Sequence, residues 1–99
     1  MKVEFTEPAE ENLRQIYCSY PDDIAEKIIE KILLRAETLA NLANRGRIVE
    51  ELRSYNQNHR YIIEGNYKII YKQKADIVYV TDIFNMRLDP GKIRQRHQK

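Results

Sequence analysis

The 99-residue sequence has no tryptophan, one cysteine, three glycines and three prolines, and no apolar run long enough to span a bilayer. Each shortage removes a class of protein. A lone Cys18 cannot close an internal disulfide, so the chain is no disulfide scaffold and a reducing cytoplasm is the expected setting. The opening Met1-Lys2-Val3-Glu4-Phe5 breaks into Glu7-Pro8 without an apolar h-region, so no signal peptide is expected. Sparse Gly and Pro leave no linker, low-complexity stretch, repeat or glycine-rich phosphate loop. No His/Cys/carboxylate spacing resembles a metal site, and neither a metal nor a small-molecule cofactor is expected.

What remains is a soluble globular composition, 42% hydrophobic and 32% charged, with the length of one domain over residues 1–99. Seven tyrosines supply apolar rings with polar tips, suited to the rim of a core or to an interface. The net charge of +2 hides an asymmetry. Residues 1–38 carry five Lys/Arg and nine Asp/Glu (−4), whereas residues 39–99 carry twelve and six (+6). The last eight residues, with Arg94, Arg96 and His97 among them, hold four Lys/Arg and no acid. Such a half attracts nucleic acid or an acidic protein segment, or it is simply a solvated tail; composition leaves the two level.

The first half reads as helical. Val3 and Phe5 alternate with Lys2 and Glu4 as a short strand. Pro8 suits a first helical turn, and Ala9, Leu13, Ile16, Tyr17 and Tyr20 follow at helical spacing until Pro21 stops the helix. Asp22 or Asp23 is the expected cap of a second helix, with Glu26 as capping-box partner. Its stripe is Ile24, Ile28, Ile32, Ala36, Leu39, Ala40 and Ala43, ended by Asn44-Arg45-Gly46. The short joint predicts an antiparallel hairpin of helices.

The second half reads as strands. Arg60 to Ile63 leads into a two-residue turn at Gly65-Asn66, then Tyr67–Lys74, then Ile77–Phe84, apolar on both faces and therefore central or well covered. Alternation sets Tyr67, Ile69 and Tyr71 on one face and Lys68, Ile70, Lys72 and Lys74 on the other. Asp89-Pro90 starts a short basic helix. The expected fold is α+β: an N-terminal strand and a helical hairpin packed on one face of a mainly antiparallel sheet. The opposite face is expected to present Lys, Arg and Tyr.

Gly46-Arg47-Ile48-Val49-Glu50-Glu51-Leu52, Arg60, Asn66-Tyr67-Lys68-Ile69-Ile70-Tyr71 and Asp82-Ile83-Phe84-Asn85-Met86-Arg87 appear in an order and spacing that resembles the RelE/ParE-type toxins of bacterial toxin–antitoxin pairs. The resemblance covers nearly the whole chain. It implies a β-α-α-β-β-β fold and a toxin neutralised by a cognate antitoxin. Two mechanisms come with it. In the RelE-like branch, a ribosome-dependent endonuclease cuts messenger RNA, which needs a base, phosphate-holding cations and an acid. Lys68 and Arg87 would be the clamps, Glu51 or Glu50 the base, and His97 the acid. In the ParE-like branch the toxin inhibits DNA gyrase by protein contact, without cleavage chemistry. Arg47, Arg60, Lys68, Lys72, Arg87, Arg94 and Arg96 would then face the target or the antitoxin.

Three departures favour the ParE-like branch, the first being a tail that offers only His97 where RelE-like relatives commonly place Tyr or His-Tyr. Lys68 stands where RNA-cleaving relatives usually have Arg, and Lys lacks the bidentate phosphate fork. Glu50-Glu51 is acidic where a phosphate site needs cations. Each candidate also has a plainer role. Glu51 reads first as an ion-pair partner, Lys68, Lys72 and Lys74 as edge protection, and Tyr67 and Tyr71 as core or core rim. His59 reads as a loop residue and His97 as a solvent-exposed one. A third reading stays open: a non-toxic module whose basic sheet face binds nucleic acid or an acidic segment.

Overall fold

The computed structural model describes residues 1–42, 47–48 and 59–87, with backbone alone for 42, 47 and 48. The described elements are β1 (Lys2–Phe5), α1 (Glu7–Ser19), α2 (Asp22–Glu37), α3 (Leu39–Leu42), β2 (Arg47–Ile48), β3 (Arg60–Glu64), β4 (Tyr67–Lys74) and β5 (Ile77–Asn85). The strands form one sheet in the order β1-β5-β4-β3-β2. Only β1 and β5 pair in parallel; the other three pairings are antiparallel. The expected α+β architecture is therefore present, with a two-residue β2 added at one edge. The helix expected after Asp89-Pro90 lies outside the described residues.

Local chemistry sets the helix ends. Thr6 caps α1 from an extended backbone, its Oγ1 accepting from the Ala9 amide at 3.4 Å. Pro8 occupies the first turn, where no intrahelical amide bond is lost. Tyr20 leaves helical geometry and Pro21 follows. The cap expected from Asp22 or Asp23 does not form. Both residues are already helical, and the preceding Pro21 is the cap without a side-chain bond, its carbonyl accepting from Ile24 N at 3.0 Å and Ala25 N at 2.9 Å. Glu26 accepts instead from the Tyr17 hydroxyl at 3.2 Å. Nor does one helix run to Ala43. Thr38 Oγ1 donates back to the Arg35 carbonyl at 2.6 Å, a side-chain bond that competes with the helical ladder, and a short α3 follows.

The core lies between the helices and one sheet face. Ala9, Ile16, Ile32, Ala36 and Leu39 pack on Tyr67, Ile69, Tyr71, Val78, Val80 and Ile83, with Val3, Phe5, Leu13 and Ile62 at the margin. Part of the helical stripe departs from its expected place: Tyr17, Tyr20 and Ile24 are exposed, whereas Asn12 and Ala25 are buried. At about 100° per residue, Tyr17 falls roughly 90° from the centre of the buried face, and Tyr20 has already left the helix. In β5 the register shifts, so that Asp82 faces Ile70 while Val80 faces Tyr71, and Thr81 is the extra residue of a bulge. Both hairpin turns open on a left-handed residue, Gly65 at φ +58° and Ala75 at φ +55°.

Candidate functional site

The sheet face away from the helices carries the expected basic and aromatic residues. Register aligns Arg47, Tyr61, Ile70 and Asp82 in one row and Ile63, Lys68 and Phe84 in the next. Lys72 stands opposite Tyr79, and Lys74 opposite Ile77. Lys68 Nζ lies 4.6 Å from the centroid of the Tyr61 ring, within cation–π range. This face is not uniformly polar, since it includes apolar Ile70 and Phe84, which are buried, as is Asp82. Burial of Ile70 beside half-buried Lys68 and Lys72 is what alternation alone does not disclose.

The candidate residues do not assemble into one described constellation. Lys68, Lys72 and the backbone of Arg47 share the outer face, but Arg60 pairs with Tyr71 and so belongs to the helix side. Arg87 follows the end of β5, exposed, where its charge reaches Tyr67. Glu50, Glu51, Arg94, Arg96 and His97 lie outside the described residues. His59, expected in a loop, directly precedes β3 and is buried. Among the described residues no His/Cys/Asp/Glu group forms a metal site.

A second feature sits on the helix side. A cleft of about 130 Å³ opens between Asn12, Ile16 and Tyr20 of the helical hairpin and Tyr67, Ile83 and Asn85 of the sheet. Its walls are fixed by hydrogen bonds. Asn12 Oδ1 accepts from the Ile83 amide at 2.8 Å, satisfying a buried donor beside the β5 bulge. Thr6 Oγ1 lies 3.2 Å from the carbonyls of both Val80 and Thr81, tying the start of α1 to the same bulge. At the mouth, the Met86 amide donates to the Asn66 carbonyl at 2.7 Å and the Arg87 amide to Asn85 Oδ1 at 2.9 Å. Burial pushes the Tyr67 hydroxyl up to about 12, a hydrogen bond with Tyr20 adds to the rise, and the positive charge of Arg87 opposes it. Sequence reading had no role for Asn12. Its signal was there: one amide inside the Ala9–Ile16 apolar stripe, where a buried polar side chain must answer a backbone group.

A two-helix hairpin on a five-stranded mixed sheet defines a small α+β protein. A solved chain described as the chromosomal ParDE TA system from P. aeruginosa superposes with a TM-score of 0.66 at 18% identity, over 86% of this chain and 95% of that one. That likeness concerns the fold. The family model for the ParE toxin of the type II toxin–antitoxin system parDE matches residues 3–90, and the chain belongs to that family. No curated protein matches it. Among the described residues no helix is long and apolar enough to cross a membrane.

Proposed function

We propose that the chain acts in the cytoplasm as a toxin that inhibits DNA gyrase by protein–protein contact and is neutralised by a cognate antitoxin. The observation that carries this reading is the match to the ParE toxin family over residues 3–90. The outer sheet face supports it. Lys68 stands over Tyr61 at 4.6 Å, and Lys72 stands opposite Tyr79, all four of them half-buried. Partly exposed aromatic and basic groups side by side suit a protein interface. Arg47, Arg60, Lys68, Lys72, Arg87, Arg94 and Arg96 are the proposed contacts to gyrase or antitoxin, with Arg preferred over Lys for carboxylate pairing.

The test is a pulse of expression in growing bacteria, with messenger RNA ends and gyrase–DNA complexes read together. Trapped gyrase–DNA complexes with an intact transcriptome, and rescue by co-expression of the neighbouring small gene, are the expected results. Cuts at ribosomal A-site codons that disappear in Arg87→Ala and Lys68→Ala would replace this reading with an endoribonuclease in which Lys68, Arg87, Glu51 and His97 are catalytic candidates. Normal growth on expression would leave only a binding module with a basic face.

A further inference from the structure

We infer that the outer edge of β1 is a self-association surface, on which a second copy of this chain pairs antiparallel, Val3 against Val3, and continues the sheet. Hydrogen-bond direction, charge and room for the helices carry it.

β1 ends the sheet, with β5 on one side and no described strand on the other. Lys2 N donates to the Asp76 carbonyl at 3.2 Å and Thr6 N to the Val80 carbonyl at 3.0 Å. In a parallel ladder alternate residues address the same neighbour, so Lys2, Glu4 and Thr6 turn their backbone groups to β5. The amides and carbonyls of Val3 and Phe5 therefore face outward. Among the described residues no turn, loop or cap backbone bond reaches them. Such a row of open donors and acceptors is a template for one more strand. Val3 and Phe5 are also half-buried at the margin of the core, so a strand laid beside them covers apolar surface as well.

Charge selects the occupant and the register. Pairing Val3 with Phe5 of a second copy centres the two-fold axis on Glu4 and sets two carboxylates face to face, which is unfavourable. Pairing Phe5 with Phe5 brings Val3 against Glu7, already the first residue of α1, so the ladder is cut short. Pairing Val3 with Val3 instead sets Lys2 of each copy opposite Glu4 of the other, twice. Both side chains are open for this, 72% and 40% exposed, and they already meet at 3.2 Å within one chain. Opposite charges two residues apart thus make β1 complementary to itself, which is what a two-fold interface requires. The helices leave room. α1 is held over β5 by Asn12 on the Ile83 amide. Three strand spacings, about 14 Å, separate the two β5 strands of such a pair, and helices need only about 8–10 Å between axes.

The contact is small, so the dimer is weak, with a dissociation constant of about 10–500 µM. Sedimentation equilibrium of the purified full chain from about 5 µM to about 1 mM measures it, and amide exchange on the same samples locates it. The Val3 and Phe5 amides should gain protection with concentration, while those of Lys2 and Thr6, already bonded, stay unchanged. Glu4→Lys and Lys2→Glu should each weaken self-association by about tenfold or more, because like charges then face each other. An equimolar mixture of the two variants should associate within about threefold of the native chain, since each copy offers the charges the other lacks. The double swap Lys2→Glu with Glu4→Lys should do the same by itself, which covers the case of one single variant failing to fold. No association up to about 1 mM would overturn the proposal. So would protection gained elsewhere, such as at exposed Leu33 and Leu34, single variants that associate like the native chain, or failure of both the mixture and the double swap. Neither gyrase nor an antitoxin enters these measurements, so their outcome and that of the gyrase reading are separate.

Discussion

Asn12→Ala tests the link between the helical hairpin and the sheet. Asn12 is 7% exposed, and its Oδ1 is the hydrogen-bond acceptor for the Ile83 amide at 2.8 Å. Ile83 is itself buried, just past the β5 bulge, and Asn12 also lines the open cleft, so water replaces the lost acceptor only in part. Leaving a buried amide unanswered costs about 1–3 kcal/mol, and removing a packed side chain adds to that. A total of roughly 2–3 kcal/mol corresponds to a fall in Tm of about 10–20 °C for a domain of this size. Calorimetry or thermal circular dichroism on the purified chain measures it, with exposed Gln15→Ala as a control expected to move Tm by less than about 3 °C. Hydrogen exchange gives a local readout: the Ile83 amide should lose protection more than the Ile69 amide does. A drop under about 4 °C, or uniform loss of protection, would refute the claim that this one amide clamps the bulge to the helix.

Gly65→Ala should destabilise by about 1–2 kcal/mol, because φ +58° is unfavourable for any side chain while nothing lies within 4 Å of the added Cβ. Ala75→Gly relieves the equivalent strain in the next turn, so denaturant midpoints should move in opposite directions for the pair. Thr6→Ala should cost about 1–2 kcal/mol by removing the α1 cap and the contacts to Val80 and Thr81, whereas Thr6→Ser recovers most of it. For Tyr67, the folded hydroxyl titrates at about 12 against an ordinary 10. The folded state thus holds the proton longer than the unfolded one, and this stability is fully present below pH 10 and lost as pH rises toward 12. The full rise is worth about 2.7 kcal/mol, reduced to roughly 1–2 kcal/mol because the hydroxyl opens on a solvated cleft. Unfolding free energy of Tyr67→Phe should therefore fall less steeply between pH 10 and 12 than that of the native chain.

Much of this protein was decided within short stretches of sequence. The helical hairpin follows from the apolar period of Ala9, Leu13 and Ile16 and of Ile28, Ile32 and Ala36, broken by Pro21, because a 3.6-residue period and a missing amide act locally. The β3–β4 hairpin follows from Gly65, whose left-handed φ is open to it at little cost. The order of motifs from Gly46 to Arg87 likewise carried the family. Tertiary structure decided what depends on partners distant in the chain. Val3 and Phe5 signalled a strand, but only its parallel fit beside β5 made it an edge of the same sheet. Arg60 and Lys68 look alike as candidate cations, yet register sends one to the helix side and the other over Tyr61. Asn12 looks like an interruption in a stripe until the β5 bulge presents it with the Ile83 amide, 71 residues away. Period and turn chemistry are properties of neighbours along the chain, whereas registry, burial on the outer face and the cleft at Tyr67 exist only once separate elements meet.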